Sequence, residues 1–360
     1  MKRVFILTVW ALCASLTAGA AGEVRNVIYL IGDGMGLAHV AMMQIENGYA
    51  PTAFDRAQHV ALVATRSANN RVTDSAAGGT ALAAGVRTDN GTVGLDPAGE
   101  RVESMMARAG REGLATGIVV TSSLLHATPA AFYAHAAKRY DYATIRGDLL
   151  AGGVDLLYGG GAKQLGEEHP EGGTWFDAFR SRGYGVAQSL DEAAAAGQGR
   201  LLAVLADDHL PHAADRGDYL PCAVRQALDR LSDDGRSFLL MVEGSQIDMA
   251  AHANDAAWLL DEMRDFERAV AVAMDFADRT PGTLVVVVAD HETGGLVIPA
   301  NDRDFTQAEN GLNYRFGSGS HTAVPVPAYS YGAGADRLTG MMDNITLAQR
   351  IMELLGLESR

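Results

Sequence analysis

Seven short runs of apolar, often β-branched residues punctuate the chain: VIYLIG (27–32), ALVAT (61–65), TGIVVT (116–121), VDLLYG (154–159), LLAVLA (201–206), FLLMVEG (238–244) and TLVVVVAD (283–290). Runs of this kind predict strands buried on both faces, as in a parallel sheet. Between many of them the apolar positions are spaced as on helices, for example VESMMARAGRE (102–112) and DAAWLLDEMRDFERAVAVAMDFADR (255–279). The alternation predicts an α/β fold, a three-layer α/β/α sandwich with a mostly parallel central sheet. No internal repeat, low-complexity linker or charge block marks a boundary, so residues 21–360 read as one domain. The polar stretch 299–320 reads as a long loop, and loops of that length often carry function.

The first residues, MKRVFILTVWALCASLTAGAAGE, place Lys2 and Arg3 before an apolar stretch and then Ala18 and Ala20 in an A-x-A arrangement. This predicts a signal peptide over 1–20 and a secreted, periplasmic or extracellular destination. The apolar core falls short of the ~20 residues that an uncleaved anchor needs. The Cys13 context is a poor lipoprotein signal, and no other segment suits a span, so no stable membrane association is expected. Loss of 1–20 removes two positive charges and no negative ones, which moves the formal charge from −15 to −17. Such a surface repels nucleic acid and argues against its recognition. An anionic substrate then needs local cations, which metals would supply. Only Cys222 remains after cleavage, which rules out an internal disulfide and a thiolate cluster.

In open parallel sheets ligands bind beyond the carboxyl ends of the strands. The chemically loaded residues fall there. VIYLIG runs into Asp33-Gly34-Met35-Gly36, FLLMVEG delivers Glu243 and then Asp248, and TLVVVVA ends in Asp290-His291. Asp248 and His252 are four apart and share a face if helical, a carboxylate–imidazole pair suited to zinc. Taken alone, the pair reads slightly better as a cap of the helix that begins near Asn254–Asp255 and a surface histidine. Asp290-His291 is harder to explain without a cation, because an unpaired buried carboxylate is costly. His321 by itself reads as an exposed loop residue, and His39, His59, His135, His169, His209 and His212 read as structural or exposed. In TDSAAGGTA (73–81), one serine precedes a run of small residues, which by themselves indicate only close packing of a helix.

Together these motifs resemble the alkaline phosphatase family: strand-Asp33-Gly-Met-Gly, Thr73-Asp74-Ser75-Ala-Ala, His126-Ala-Thr128-Pro, Glu243-Gly-x-x-Ile-Asp248-x-x-x-His252, Ala-Asp290-His291-x-x-Gly and Ser320-His321-Thr322. The resemblance covers nearly the whole mature chain, with the motifs in order. It implies a phosphatase of small phosphate monoesters that works through a phosphoserine at Ser75. It implies one Zn2+ held by Asp248, His252 and His321, and a second by Asp33, Asp290, His291 and the Ser75 oxygen. Asp33, Thr128 and Glu243 are the implied ligands of a third ion, Mg2+, whose oxygen shell suits a hard cation. Arg139 stands where an arginine forks onto two phosphate oxygens. Spacing alone does not choose it over Arg66, Arg71 or Arg87. A homodimer is also implied.

Two positions depart from the best-studied bacterial pattern. His126 stands in place of an aspartate, which bears on the third metal and makes His126 a candidate phosphate or metal contact. Met249 stands in place of a lysine, which removes a cationic hold on phosphate. Phosphodiesterases and sulfatases share the bimetal scaffold. Sulfatases need a modified residue in a different signature, and diesterases commonly use threonine and lack the third-metal set. A secreted binding protein that has lost catalysis is the alternative from another class.

Overall fold

The seven apolar runs form strands in one ten-stranded sheet. The computed structural model describes residues 23–233, 235–299 and 314–357, so the predicted signal peptide and most of the 299–320 segment lie outside the described residues. The sheet strands in chain order are β1 (Asn26–Gly32), β2 (His59–Ala64), β3 (Ala115–Ser123), β4 (Leu156–Gly160), β5 (Gly185–Ala187), β6 (Leu201–Val204), β7 (Phe238–Gly244), β8 (Thr283–Val288), β9 (Val326–Gly332) and β10 (Gly340–Asp343). They lie in the order β10-β2-β9-β8-β1-β7-β3-β4-β6-β5. All neighbours pair in parallel except β9, which is antiparallel to both β2 and β8.

Burial follows position in the sheet. Every residue of β1, β3, β7 and β8 is buried, as expected for central strands covered by helices on both faces. The helices Tyr219–Ser232 and Ala256–Arg279 pack together on these central strands, while Ser75–Ala84, Met105–Arg111 and Asn344–Leu354 form a separate layer. The long helix starts where Asp255 accepts from the amides of Ala257 and Trp258. The expectation of a fully buried parallel strand at 61–65 needs correction. Strand β2 is half-buried because it lies next to the sheet edge, and Val60 and Leu62 are exposed on its uncovered side.

Strands β8, β1, β7 and β3 are adjacent, and their carboxyl ends are level: Ile31 pairs with Glu243 on one side and Val288 on the other. The sequence following each strand therefore opens onto one shared region. Among the described residues no helix is long and apolar enough to cross a membrane.

Candidate active site and metal centre

The turn after β1 carries Asp33 inward. Gly34 there has φ +73°, and a Cβ on it would lie 2.8 Å from Thr293 Oγ1 and 2.9 Å from Asp248 Oδ1. Glycine thus permits both the turn and its close approach to two other strand ends. Glu243 is the penultimate residue of β7. Beyond β7, the short helix Gln246–His252 sets Asp248 and His252 one turn apart, as the spacing predicts. Asn254 then takes a positive φ of 54° and Asp255 starts the next helix, so Asp255, not Asp248, is the cap.

Ser75 is the first residue of the wholly buried helix Ser75–Ala84. The small residues behind it have a packing role that the structure makes explicit. A Cβ on Gly78 would sit 3.0 Å from the Asp290 carbonyl, and one on Gly79 3.3 Å from the Thr128 Cα. The helix start is thereby pressed between two of the strand ends that carry the chemistry. Its N-terminal end favours an anion.

Three groups of side chains bring ligand atoms within 4.8 Å of one another: Asp248, His252 and His321; Asp33, Asp290 and His291; and Asp33, His126 and Glu243. Hydrogen bonds fix the histidine tautomers. His252 Nδ1 donates to the Gly319 carbonyl at 2.9 Å and His321 Nδ1 to the Thr73 carbonyl at 2.8 Å. A carbonyl can only accept, so in the neutral imidazoles both Nε2 atoms carry lone pairs. They face each other at 3.0 Å, with Asp248 oxygens at 3.4 and 3.5 Å. The Thr293 hydroxyl donates to Asp248 Oδ1 at 2.5 Å and therefore accepts from His291 Nδ1 at 3.1 Å. His291 Nε2 is thus also a bare acceptor, 3.3 Å from Ser75 Oγ, 3.3 Å from Asp290 Oδ2 and 3.5 Å from Asp33 Oδ1.

Acceptors crowded in this way repel one another unless a cation lies between them. The buried oxygens carry the same signature. Both oxygens of Asp33, Asp290 Oδ2, Glu243 Oε1 and Thr128 Oγ1 are buried without a hydrogen-bond partner. The Thr128 hydroxyl faces the Glu243 carboxylate without a well-formed hydrogen bond. Burial raises Asp33 well above the carboxylate range, and neighbouring Asp290, Asp248 and Glu243 add to it. Burial likewise raises Asp290, although the Gly34 amide opposes it, and pushes Glu243 up to about 8 against the Ser245 hydroxyl. Burial also lowers His291 and His126 well below the usual imidazole value. Such groups are stable together in their ionised forms only around positive charge. The donor sets fit metal ions: nitrogen and oxygen in the first two groups, mostly carboxylate oxygen around Glu243.

An open cleft of about 880 Å³ leads to these groups. It is lined by Asp74, Ser75, Asn90, His126, Arg139, Asp248, His252 and His321, among others. Arg139 is the arginine that reaches it, whereas Arg87 is paired with Asp343 at 2.7 Å. Arg139 Nη1 donates to Asp74 Oδ2 at 3.0 Å, and Nη2 faces His126 Nε2 at 3.4 Å. Asp74 also caps the Ser75 helix through Ala77 N and accepts from Gly91 N, each at 3.0 Å. One carboxylate thus ties the serine helix to the arginine.

Asp74 and Thr293 are site residues that sequence reasoning missed. Asp74 stands in the Thr73-Asp74-Ser75 motif without a role assigned to it, and Thr293 gave no signal. From the sequence His209 reads as structural or exposed. Its Nδ1 accepts from Ser123 N at 3.1 Å, and its ring meets His126 edge-on, with centroids 5.5 Å apart. Met249 is half-buried and is not among the residues that line the cleft.

A family model described as alkaline phosphatase matches residues 24–311. Alkaline phosphatase 4 of Bacillus subtilis (strain 168) is 32% identical, over 92% of this chain and 89% of its own. The alkaline phosphatase of the Antarctic bacterium TAB5 superposes with a TM-score of 0.87 at 30% identity, covering 94% of this chain and 100% of that one. A histidine-to-aspartate variant of the TAB5 enzyme, with Mg bound in its M3 site, gives 0.86 at 30% identity, covering 94% and 99%. With a converging metal-binding geometry at the strand ends and relatives of this kind along nearly its full length, the chain belongs to the alkaline phosphatase family and is a phosphate monoester hydrolase.

Proposed function

We propose that the protein is a secreted alkaline phosphatase that hydrolyses phosphate monoesters through a phosphoserine at Ser75, with two Zn2+ and one Mg2+ bound beside it. The observation that carries this reading is the convergence of three imidazole Nε2 lone pairs and five unpartnered buried oxygen atoms around one serine. Asp248, His252 and His321 would hold one zinc. Asp33, Asp290 and His291, with Ser75 Oγ, would hold the other. Asp33, Thr128 and Glu243 would hold magnesium, an ion bound in a site called M3 in a histidine-to-aspartate variant of the TAB5 enzyme. Bound there, divalent ions supply Lewis acidity, which makes the serine hydroxyl easier to ionise and offsets charge on phosphate and leaving oxygens.

The chain's own residues do the rest. Arg139, held by Asp74, donates two N–H groups to non-bridging phosphate oxygens and orients phosphorus toward Ser75. Ser75 Oγ attacks in line, the Oγ–P bond forms and the ester P–O bond breaks. The departing alkoxide takes a proton and leaves as the alcohol. Water then attacks phosphorus from the vacated side, the Oγ–P bond breaks, and Ser75 regains its proton as phosphate departs. Two inversions give net retention. His126, whose Nε2 faces Arg139, helps to set the arginine plane and lines the phosphate end of the cleft.

The same reading takes 1–20 as a cleaved signal peptide, 21–360 as a single catalytic domain, small phosphomonoesters as substrates and a homodimer as the assembly. The test is hydrolysis of p-nitrophenyl phosphate by protein stripped with a chelator and then reloaded. The expected result is loss of activity on stripping and recovery with zinc plus magnesium, at about two zinc equivalents per chain. Full activity in the stripped protein would overturn the reading.

A further inference from the structure

The phosphoryl end of a substrate is fixed at Ser75 and Arg139, so the alcohol portion must extend toward the mouth of the cleft. One wall of that mouth is the segment 137–141. Residues 138–141 form a tight turn closed by Asp141 N–H donating to the Lys138 carbonyl at 2.9 Å, and Arg139 N donates to the Gly91 carbonyl at 2.7 Å. Arg139 and Tyr140 are the two central residues of this turn. The Asp141 carboxylate is committed to capping the helix Tyr142–Gly152 through the amide and hydroxyl of Thr144. Asp141 thus lines the cleft with its carboxylate already engaged by Thr144.

Tyr140 lines the cleft and is 71% exposed. Its ring lies 5.6 Å from the Arg139 guanidinium carbon and meets the Tyr142 ring edge-on, with centroids 6.5 Å apart. Arg139 is itself pinned by Asp74, and Tyr142 is the first residue of a helix, so both neighbours steady the ring. A flat, supported, solvent-facing ring one residue from the phosphate anchor is a stacking surface.

We propose that Tyr140 is a specificity-determining platform that stacks the base of nucleoside 5′-monophosphates, whose flat ring is set off from phosphate by a sugar. In an aryl phosphate the ring is joined to the ester oxygen itself, with no sugar between ring and phosphate. Glycerol phosphate has no ring. This proposal rests on the phosphomonoesterase reading above and names the substrate class for the same site.

The experiment compares kcat/KM for adenosine 5′-monophosphate, p-nitrophenyl phosphate and glycerol 1-phosphate in the metal-loaded wild type, Tyr140→Ala and Tyr140→Phe. Base–aromatic stacking predicts that the ratio for adenosine 5′-monophosphate over glycerol 1-phosphate falls about tenfold in Tyr140→Ala, mainly through KM. Tyr140→Phe should keep the wild-type ratio, and the p-nitrophenyl phosphate ratio should change less. Competitive inhibition by adenosine 5′-monophosphate relative to inorganic phosphate should weaken in parallel. An unchanged nucleotide ratio in Tyr140→Ala, or an equal or larger loss for the aryl ester, overturns the platform while leaving the phosphatase reading intact. A wild type that hydrolyses none of the three esters overturns both.

Discussion

Removing the negative charge of Glu243 should stabilise the metal-stripped protein, although the same change harms the loaded enzyme. In the absence of metal, burial pushes Glu243 up to about 8 from an ordinary 4.5. A carboxyl raised on folding leaves stability intact below its unfolded value, and stability is lost as pH climbs toward the folded one. At ~1.36 kcal/mol per pH unit, ionising Glu243 costs the folded state on the order of 5 kcal/mol by pH 8.5. About 2 kcal/mol of this accrues between pH 6.5 and 8.5. Glu243→Gln keeps an oxygen to accept from Ser245 Oγ, now at 2.7 Å, and cannot ionise. Its new buried amide N–H groups offset roughly 1–3 kcal/mol of the gain, independent of pH. Urea unfolding of both proteins in chelator, followed by tryptophan fluorescence, should show the variant's advantage growing by about 2 kcal/mol from pH 6.5 to 8.5. With zinc and magnesium restored, the variant should be the less stable and less active of the two. A stripped variant whose stability relative to wild type is the same at both pH values would refute the reasoning, because Glu243 would then not be a buried charge awaiting a cation.

Two further substitutions probe the residues that only the structure revealed. Asp74→Ala removes a helix cap, worth about 1 kcal/mol of stability, and frees Arg139. Steady-state kinetics should show KM and the phosphate inhibition constant rising together by roughly tenfold, with zinc content unchanged. Thr293→Val leaves His291 Nδ1 without its acceptor, and competition with a chromophoric chelator should show zinc affinity falling by roughly 10- to 100-fold. Unaltered zinc affinity would mean that the threonine does not set the His291 tautomer.

The central strands were legible because burial on both faces leaves no choice but continuous apolar runs, and FLLMVEG and TLVVVV begin where β7 and β8 begin. The edge strands Gly185–Ala187 and Gly340–Asp343 were not, because three or four residues with a solvent side carry no such run. In the site, the residue types and their order on the strands were readable, but side-chain partnerships were not. His252 and His321 are 69 positions apart and meet at 3.0 Å. The choice of Arg139 rests on Asp74, 65 positions away, and no local pattern encodes that pairing. The run Ser75-Ala-Ala-Gly-Gly posed a choice between packing and chemistry, and the structure shows the packing. Its glycines let the helix that begins at Ser75 approach Asp290 and Thr128.

The central claim is that Ser75 becomes covalently phosphorylated during turnover, and acid quenching tests it most directly. Metal-loaded enzyme turning over ³²P-labelled phosphate monoester is quenched in acid, digested and mapped by mass spectrometry. The account predicts label on the peptide containing Ser75, lost in Ser75→Ala along with most activity while bound zinc remains. Label at another residue, or an active enzyme with no covalent label under any quench condition, would contradict it.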